Sequence, residues 1–336
     1  MTECEELFND FNSLKIGVIG DVMLDTYIWG KVDRISPEAP VPIVSLHHKE
    51  QRIGGAGNVA INCSSLGAKV FMLGVIGDDD EASQLDQLLK ESLIDTTGLI
   101  KSVKRKTTNK TRIISRNQQM LRFDAEITDD LNKEEETALL KQISNFIEHE
   151  DPNILIFEDY NKGVLTEKVI EDAIALCRAS GVITAVDPKR KNFFNYKNVD
   201  IFKPNMKEVQ EGLNLLFETA DIYQLRNIHE QLYKQLQHKV SLITLSEKGI
   251  FYQQLQNAAI IPSHLRNVAD VSGAGDTVIA TYALALASGA QFAEAARLAN
   301  LAGGIVVMKR GTATVTKAEL TASALEHGFQ EAGAGI

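Results

Sequence analysis

The chain has 336 residues, 44% of them hydrophobic and 24% charged, which is an ordinary globular composition. Its formal net charge of −10 argues against a nucleic-acid surface, which needs clustered Lys and Arg. No apolar run approaches the roughly 18 residues of a membrane helix, and the acidic N-terminus lacks the pattern of a signal peptide. We therefore expect a soluble cytoplasmic protein without nucleic-acid or membrane partners.

Several short, continuously apolar runs predict strands that are buried on both faces of a sheet. In chain order they are residues 15–20, 70–77, 153–157, 182–187, 200–202 and 241–245. Helical periodicity separates them at residues 59–66, 81–91, 133–149, 168–180 and 221–237. This alternation predicts an α/β fold: a doubly wound, mostly parallel sheet with helices on both faces and ligands beyond the carboxyl ends of its strands.

Two polar segments, residues 25–51 and 101–125, interrupt this pattern. They are rich in β-branched residues and alternate in polarity, which predicts a small antiparallel β lid inserted in the main domain. The composition of residues 275–287 and 292–308 predicts two buried helices. We expect one domain over residues 1–320 and a C-terminal tail, 321–336, that frays at its end.

A glycine-rich segment, residues 270–277, directly precedes the first of these buried helices. The amides of Gly273, Ala274 and Gly275 would lie at the positive end of the helix dipole and form an anion hole. Asp276 beside an anion makes sense if its carboxylate takes the proton of an acceptor hydroxyl during phosphoryl transfer. The alternative is a plain turn in which Asp276 lies in the first turn of a helix.

Together with GGAGNVA at 54–60, LGA at 66–68 and GVIGDD at 74–79, this segment resembles the signatures of the ribokinase (PfkB) family of carbohydrate kinases. The resemblance covers most of residues 15–316 and implies a ribokinase-like fold that uses ATP and Mg²⁺. It implies that Asp276 is the catalytic base and that Gly273, Ala274 and Gly275 form the anion hole. It also implies a monovalent cation, K⁺, at Asp270 and main-chain oxygens near Gly311.

Further matches imply nucleotide contacts. Asn205 and Glu208 would order Mg²⁺ and the phosphates, Glu208 through water, and a helix-capping box is the alternative. Ser246 and Gly249 match the family's turn along the nucleotide, although many relatives carry Gly where Ser246 stands. Asn300 matches the lining of the adenine site, and its alternative is a hydrogen-bonded core residue.

Sugar contacts are expected near the first strand. Gly54, Gly55 and Asn58 would offer amide groups to hydroxyls, or else form only a tight strand-to-helix turn. Asp21 and Asp25 can each accept two hydrogen bonds from hydroxyls, and a capping or solvated role is the alternative, more so for Asp25.

The substrate is indicated by an ordered set of segments: residues 34–42, 115–119 with Arg122 and Asp124, 159–163 and 187–189. The set resembles the D-glycero-β-D-manno-heptose 7-phosphate kinases of bacterial ADP-heptose synthesis, which implies transfer to the anomeric hydroxyl. An acceptor that already carries a phosphate needs cations away from the transfer centre. The candidate substrate contacts are Arg34, Arg116, Asp159, Lys162 and Lys189; each cation is otherwise a solvated surface group.

Apolar residues on the lid indicate a homodimer in which two lids pack together; they are Ile28, Trp29, Val41 and Ile43. Many relatives are fused to a nucleotidyltransferase, so we expect a stand-alone kinase or one half of such an enzyme. The alternatives are a family kinase for another sugar, sugar phosphate or nucleoside, a non-catalytic nucleotide-binding module, and a dinucleotide-dependent oxidoreductase. The oxidoreductase needs Gly-x-Gly-x-x-Gly after the first strand, where this chain has Gly20-Asp21.

Overall fold

A computed structural model describes residues 3–116, 118–216, 221–263 and 268–327. The strands are β1 (Lys15–Gly20), β2 (Val22–Ile35), β3 (Pro42–Gly55), β4 (Lys69–Gly77), β5 (Ile94–Ser102), β6 (Thr108–Ser115), β7 (Gln118–Ala125), β8 (Ile154–Glu158), β9 (Ile183–Asp187), β10 (Ile201–Phe202), β11 (Val240–Thr244), β12 (Ile250–Gln254) and β13 (Asn257–Ile261). The helices are α1 (Glu3–Asp10), α2 (Ala56–Ser65), α3 (Asp80–Glu91), α4 (Lys133–Glu150), α5 (Glu167–Ala179), α6 (Met206–Leu213), α7 (Ile222–Leu236), α8 (Ala274–Ala287), α9 (Phe292–Val306) and α10 (Lys317–Glu326). Asn117 of the predicted lid and residues 328–336 of the predicted tail lie outside the described residues.

The larger sheet runs β13-β12-β11-β10-β9-β8-β1-β4-β5 through the described part of the chain. Its ladders from β5 to β11 are parallel, and only the β11-β12-β13 edge is antiparallel. The predicted mostly parallel sheet is therefore confirmed. The carboxyl ends of β1, β8, β9 and β10 meet at one edge, where such sheets bind ligands.

Helices cover both faces of this sheet. Along β1, Ile16 and Val18 project into one core, which α2, α8 and α9 cover, while Ile19 projects into the other, which α4, α5 and α7 cover. Burial on both faces is the reason that the central strands are continuous apolar runs in the sequence. The strands β5, β12 and β13, toward the two ends of the sheet, mix polar with apolar residues, so the apolar pattern did not predict them.

The lid is a second sheet with the order β3-β2-β6-β7. Its two hairpins, β2–β3 and β6–β7, are antiparallel as predicted, but the central β2–β6 pair is parallel. The reason is topological: β2 continues from β1 and β6 follows β5, and both leave the carboxyl edge of the parallel sheet in the same direction. In the part of the chain that the structure describes, no helix is both long and apolar enough to span a bilayer.

Candidate active site

Asp276 lies in the first turn of α8, which begins after Gly273. Gly273 has φ +78°, and a Cβ there would lie 2.6 Å from Asn58 Nδ2, so the position favours glycine for two reasons. The amide of Ala274 donates to Val271 O at 3.3 Å, whereas no described backbone carbonyl accepts from Gly273 or Gly275. Within the described residues the amides of Gly273 and Gly275 therefore have no partner, while that of Ala274 is engaged in the turn. An anion hole formed by the three amides stays a prediction.

The carboxylate of Asp276 does not cap its helix but turns into the site. Asn58 Nδ2 donates to Asp276 Oδ2 at 2.6 Å, and the Tyr160 hydroxyl lies 3.4 Å from Oδ1. The side chain is almost fully buried, and burial raises the pKa of Asp276 to about 6, against the opposing effect of Asn58. A buried carboxylate with this pKa is a suitable general base near neutral pH.

Two further carboxyl groups lie close to Asp276. Oxygens of Glu158, Asp187 and Asp276 are all within 4.8 Å of one another. Lys203 Nζ, fully buried, contacts Asp187 Oδ2 at 2.5 Å and lies 3.4 Å from Gly275 O, directly below the anion hole. Neither oxygen of Glu158 has a described hydrogen-bond partner. Burial, followed by the charges of Asp187 and Asp276, raises the pKa of Glu158 well above its ordinary value.

Asn205 and Glu208 form a capping box at the start of α6. The Glu208 amide donates to Asn205 Oδ1 at 2.9 Å, and the Asn205 amide donates to Glu208 Oε2 at 2.8 Å. The other oxygen of Glu208 contacts Lys189 Nζ at 2.5 Å. Lys189 was expected at the substrate phosphate, but it is held beside Asp187 and Glu208. Burial would lower the pKa of Lys189, and the charges of these two carboxylates together raise it.

A cavity of about 450 Å³ adjoins the start of α8. Its lining includes the predicted nucleotide residues Ser246, Gly249 and Asn300 together with Ala274 and Gly275. Ser246 has φ +55°, a left-handed conformation that glycine adopts without strain. Asn300 Nδ2 donates to Pro262 O at 2.8 Å, so its side chain fixes part of the cavity wall.

The two predicted sugar carboxylates differ from each other in their contacts. Asp21, which the sequence favoured, accepts three hydrogen bonds from the amides of Tyr160, Lys162 and Val164 at 2.9, 3.0 and 3.1 Å. Asp21 therefore shapes the loop after β8, and its assignment to the sugar stays a prediction. Within the described residues, Asp25 accepts one side-chain hydrogen bond, at 2.6 Å from Arg112 Nη1.

Gly54 and Gly55 join the lid to α2. A Cβ on Gly54 would collide with Asp25 Oδ2, and Gly55, with φ +58°, would place a Cβ on the backbone oxygen of Asp21. Glycine at these two positions lets β3 turn into α2 and brings Asp25 and Asn58 to the same side of the site. The tight turn expected as the alternative is present.

Asp159 and Lys162 flank Tyr160 in the loop after β8. Asp159 is buried, and the Tyr196 hydroxyl donates to its Oδ2 at 2.8 Å, so it anchors the loop. Its contact with the substrate stays a prediction. Burial raises the pKa of Asp159 to about 6. Lys162 Nζ contacts Glu126 Oε1 at 2.7 Å at the base of the lid.

Arg34 and Arg116 lie at the far end of the lid. Arg34 is exposed and follows Asp25 by nine residues on β2, or roughly 30 Å along the strand. Arg116, with φ +50°, follows Ser115, which pairs with Gly30 near the distal end of the lid. The assignment of both side chains to the substrate phosphate stays a prediction.

Asp270 lies where the cation prediction placed it, next to Gly311. Its carboxylate accepts hydrogen bonds from the amides of Ser272 at 2.9 Å and Gly311 at 3.0 Å. The Ser272 amide is the main reason why the pKa of Asp270 is lowered, so the group carries a full negative charge.

Sequence reasoning assigned no role to four residues of the site: Glu158, Tyr160, Asp187 and Lys203. Each of them ends a strand of the parallel sheet or follows such a strand within two residues. Their positions at the ends of predicted strands could have identified them, because side chains at the carboxyl ends of adjacent parallel strands lie close together.

Comparisons with known proteins agree with this geometry. The pattern described as "pfkB family carbohydrate kinase" matches residues 13–319. The chain is 44% identical over 303 residues to "Bifunctional protein HldE" of Aliarcobacter butzleri, covering 90% of this chain and 63% of that protein. It is 40% identical over 335 residues to the protein of the same name from Geotalea uraniireducens, covering 99% and 67%. The chain thus spans about two thirds of the length of the curated relatives it matches.

Solved structures show the same fold. Phosphofructokinase-2 from Escherichia coli in complex with potassium superposes with a TM-score of 0.76 at 18% identity, covering 93% of this chain and 98% of that one. Ribokinase from Arabidopsis thaliana, complexed with ribose and ATP, superposes with a TM-score of 0.72 at 15% identity, covering 92% and 98%. Fold and sequence agree, and the chain belongs to the pfkB family of carbohydrate kinases.

Proposed function

We propose that this chain transfers the γ-phosphoryl group of ATP to the anomeric hydroxyl of D-glycero-β-D-manno-heptose 7-phosphate, giving the 1,7-bisphosphate. In the cytoplasm this reaction would serve ADP-heptose synthesis for the lipopolysaccharide core. The observation that carries the proposal is the buried Asp276, bonded to Asn58 and adjacent to the free amide of Gly275. The choice of sugar rests on the ordered lid and strand-end segments and on the identity to the HldE proteins.

The nucleotide and the sugar would bind on two sides of α8. The cavity with Ser246, Gly249 and Asn300 would hold the nucleotide, and Asp25 with Asn58 would hold the sugar. As the acceptor oxygen bonds to phosphorus and the bond to the ADP oxygen breaks, Asp276 takes the acceptor proton. The amides of Gly273 and Gly275 stabilise charge on the transferred group.

The residues present fit a hard divalent cation. Carboxylate oxygens are the ligands that Mg²⁺ prefers, and two oxygens of Glu158 lack partners within the described residues. Asp187 would hold Mg²⁺ directly and Glu208 through water, since both oxygens of Glu208 are already engaged. When bound, the ion neutralises phosphate charge. A K⁺ ion at Asp270 beside Gly311 remains a proposal.

A homodimer through the lid is part of the proposal. The face of the lid opposite Asp25 carries an apolar stripe, because the register aligns Ile28 with Ile113 and Ile113 with Leu121. Leu121 and Phe123 are at least half exposed, as is Val41 at the far end. Such a patch is typical of an interaction surface. A monomer in sedimentation or light-scattering experiments would contradict this arrangement.

The function is tested with a panel of phosphorylated and unphosphorylated sugars and nucleosides, with ADP release as the readout. We expect heptose 7-phosphate to give the highest kcat/KM, and a preference for another acceptor would overturn the choice of sugar. In Asp276→Asn, turnover should fall by roughly 10²- to 10⁴-fold with ATP binding retained. Asp172→Asn, an exposed carboxylate on α5, is the matched control. Near-normal turnover of Asp276→Asn would refute the general-base role.

A further inference from the structure

One face of the lid sheet carries charged side chains at its base. The register aligns Asp25 with Arg52 on one side and with Lys110 on the other, and Lys110 with Asp124. Directly paired residues project from the same face of a sheet. Two residues farther along, this face carries Tyr27, Arg112 and Arg122.

This charged face lies over the active site. The ammonium of Lys110 is 5.4 Å from the centroid of the Tyr160 ring, and the Tyr160 hydroxyl reaches Asp276. At the opposite edge of this charged face, the Arg52 guanidinium lies against Gly311, where a Cβ would be only 2.2 Å from Arg52 Nη1. Lys110 therefore faces the same space as the proposed catalytic base.

Within the described residues, Lys110 differs from its cationic neighbours in forming no ion pair, although Asp25 lies near it. The neighbouring pairs, with nitrogen–oxygen distances of 2.5 to 2.7 Å, are Arg52–Glu50, Arg112–Asp25, Arg122–Asp124 and Lys162–Glu126. Among the residues that the structure describes, no carboxylate forms an ion pair with Lys110. Its half-buried ammonium rests on the aromatic ring instead.

The electrostatics of this position favour an incoming anion. Burial lowers the pKa of Lys110; Asp25 opposes this shift, and the nearby charges of Lys162 and Arg122 add to it. Lys162 and Arg122 are therefore close enough to disfavour the charge of Lys110, although each of them forms an ion pair of its own. A doubly charged anion beside Lys110 would counter this repulsion and replace the water that its ammonium has lost.

The distance to Asp276 suits the far end of a sugar. A phenol ring adds roughly 3 Å between its centroid and its oxygen, so Lys110 Nζ lies within roughly 12 Å of the Asp276 carboxylate. In a heptose 7-phosphate, seven single bonds of about 1.5 Å separate the anomeric oxygen from the phosphorus, a span of roughly 9 Å when extended. Both ends of one acceptor can therefore be held at once.

We infer that Lys110, flanked by Lys162 and Arg122, binds the phosphate group that the acceptor sugar already carries. This inference rests on the proposed function in assuming a phosphorylated acceptor, and it makes Lys110 the residue that selects for that phosphate. Of the four cations expected from the sequence for this role, only Lys162 lies in this group. The Lys189 ammonium also lies 5.6 Å from the centroid of the Tyr160 ring, but it forms an ion pair with Glu208.

The test is the preference of the enzyme for a phosphorylated over an unphosphorylated form of the same acceptor. In Lys110→Met, kcat/KM for the sugar phosphate should fall roughly 10- to 100-fold, as expected when a charge-assisted hydrogen bond is lost. The value for the unphosphorylated sugar and KM for ATP should stay unchanged. Lys110→Arg keeps the charge and should keep most of the preference.

Lys101→Met, which removes an exposed charge at the end of β5, is the control and should behave as wild type. Thermal unfolding of each variant shows whether the fold is intact. An equal loss of activity on both acceptors, or an unchanged preference, would overturn the role of Lys110. If the wild type prefers another sugar phosphate, the heptose proposal fails while the Lys110 comparison still decides the inference. If only unphosphorylated acceptors react, both fail.

Discussion

The hydrogen bond from Asn58 to Asp276 sets the pH at which the proposed base works. It joins Nδ2 and Oδ2 at 2.6 Å between two buried side chains and lowers the pKa of Asp276 against the larger effect of burial. Replacing Asn58 with Ala removes the donor and leaves the carboxylate buried. The ionised form is then disfavoured, so the pKa of Asp276 must rise.

The size of this change follows from the strength of the bond. A hydrogen bond to a charged group contributes about 1.5–3 kcal/mol, which corresponds to about 1 to 2 pKa units. Starting from a pKa of about 6, Asp276 in Asn58→Ala would titrate near pH 7 to 8. Ionisation alone would then lower kcat/KM at pH 7 by roughly 2- to 10-fold, with recovery toward pH 9.

The assay is the pH profile of kcat/KM between pH 5 and 9, which reports groups of the free enzyme. Asn62→Ala is the control: Asn62 is equally buried on α2 and accepts a hydrogen bond from Thr277 Oγ1 at 2.8 Å, but it does not contact Asp276. The acidic limb of the kcat/KM profile of Asn62→Ala should stay near pH 6. A limb that stays there in Asn58→Ala, or shifts equally in Asn62→Ala, would refute the reasoning.

Three other predictions concern stability, measured by urea unfolding. Lys203→Met leaves the buried carboxylate of Asp187 without its cation and should lower the free energy of unfolding by about 3–5 kcal/mol. A decrease of less than about 1 kcal/mol would contradict the ion pair. Glu158 has a folded pKa raised above its unfolded value, so its stabilising contribution is complete at low pH and declines as pH rises above about 4.5. Glu158→Gln should flatten that decline between pH 5 and 8, and an unchanged slope would show that Glu158 is ionised. Asp21→Asn replaces a carboxylate oxygen by an NH₂ group that faces backbone N–H donors, so it should lower the free energy of unfolding by about 2 kcal/mol or more. An unchanged free energy of unfolding would mean that the loop of Tyr160 does not depend on Asp21.

Much of the fold was predictable because the forces that define it are local in sequence. The central strands, such as β1 (Lys15–Gly20), are apolar on both faces, and a short continuous apolar run bounded by turn residues is typical of a buried strand. The buried helices α8 and α9 were predicted from their continuous apolar composition, within two residues of their ends. Edge strands such as β5 were missed because partial exposure gives them a mixed pattern.

The sequence by itself determined the family signatures, the helix whose first turn contains Asp276, and the presence of a lid. Only the tertiary structure determined which partner each charged side chain contacts. The sequence favoured Asp21 over Asp25 as a sugar ligand, yet in the fold Asp21 accepts three loop amides while Asp25 pairs with Arg112. Lys110 shows no distinguishing feature until the fold places Asp25 and Asp124 beside it and pairs them with Arg112 and Arg122. Pairings between segments 80 or more residues apart depend on strand register and chain crossing, and no local pattern encodes them.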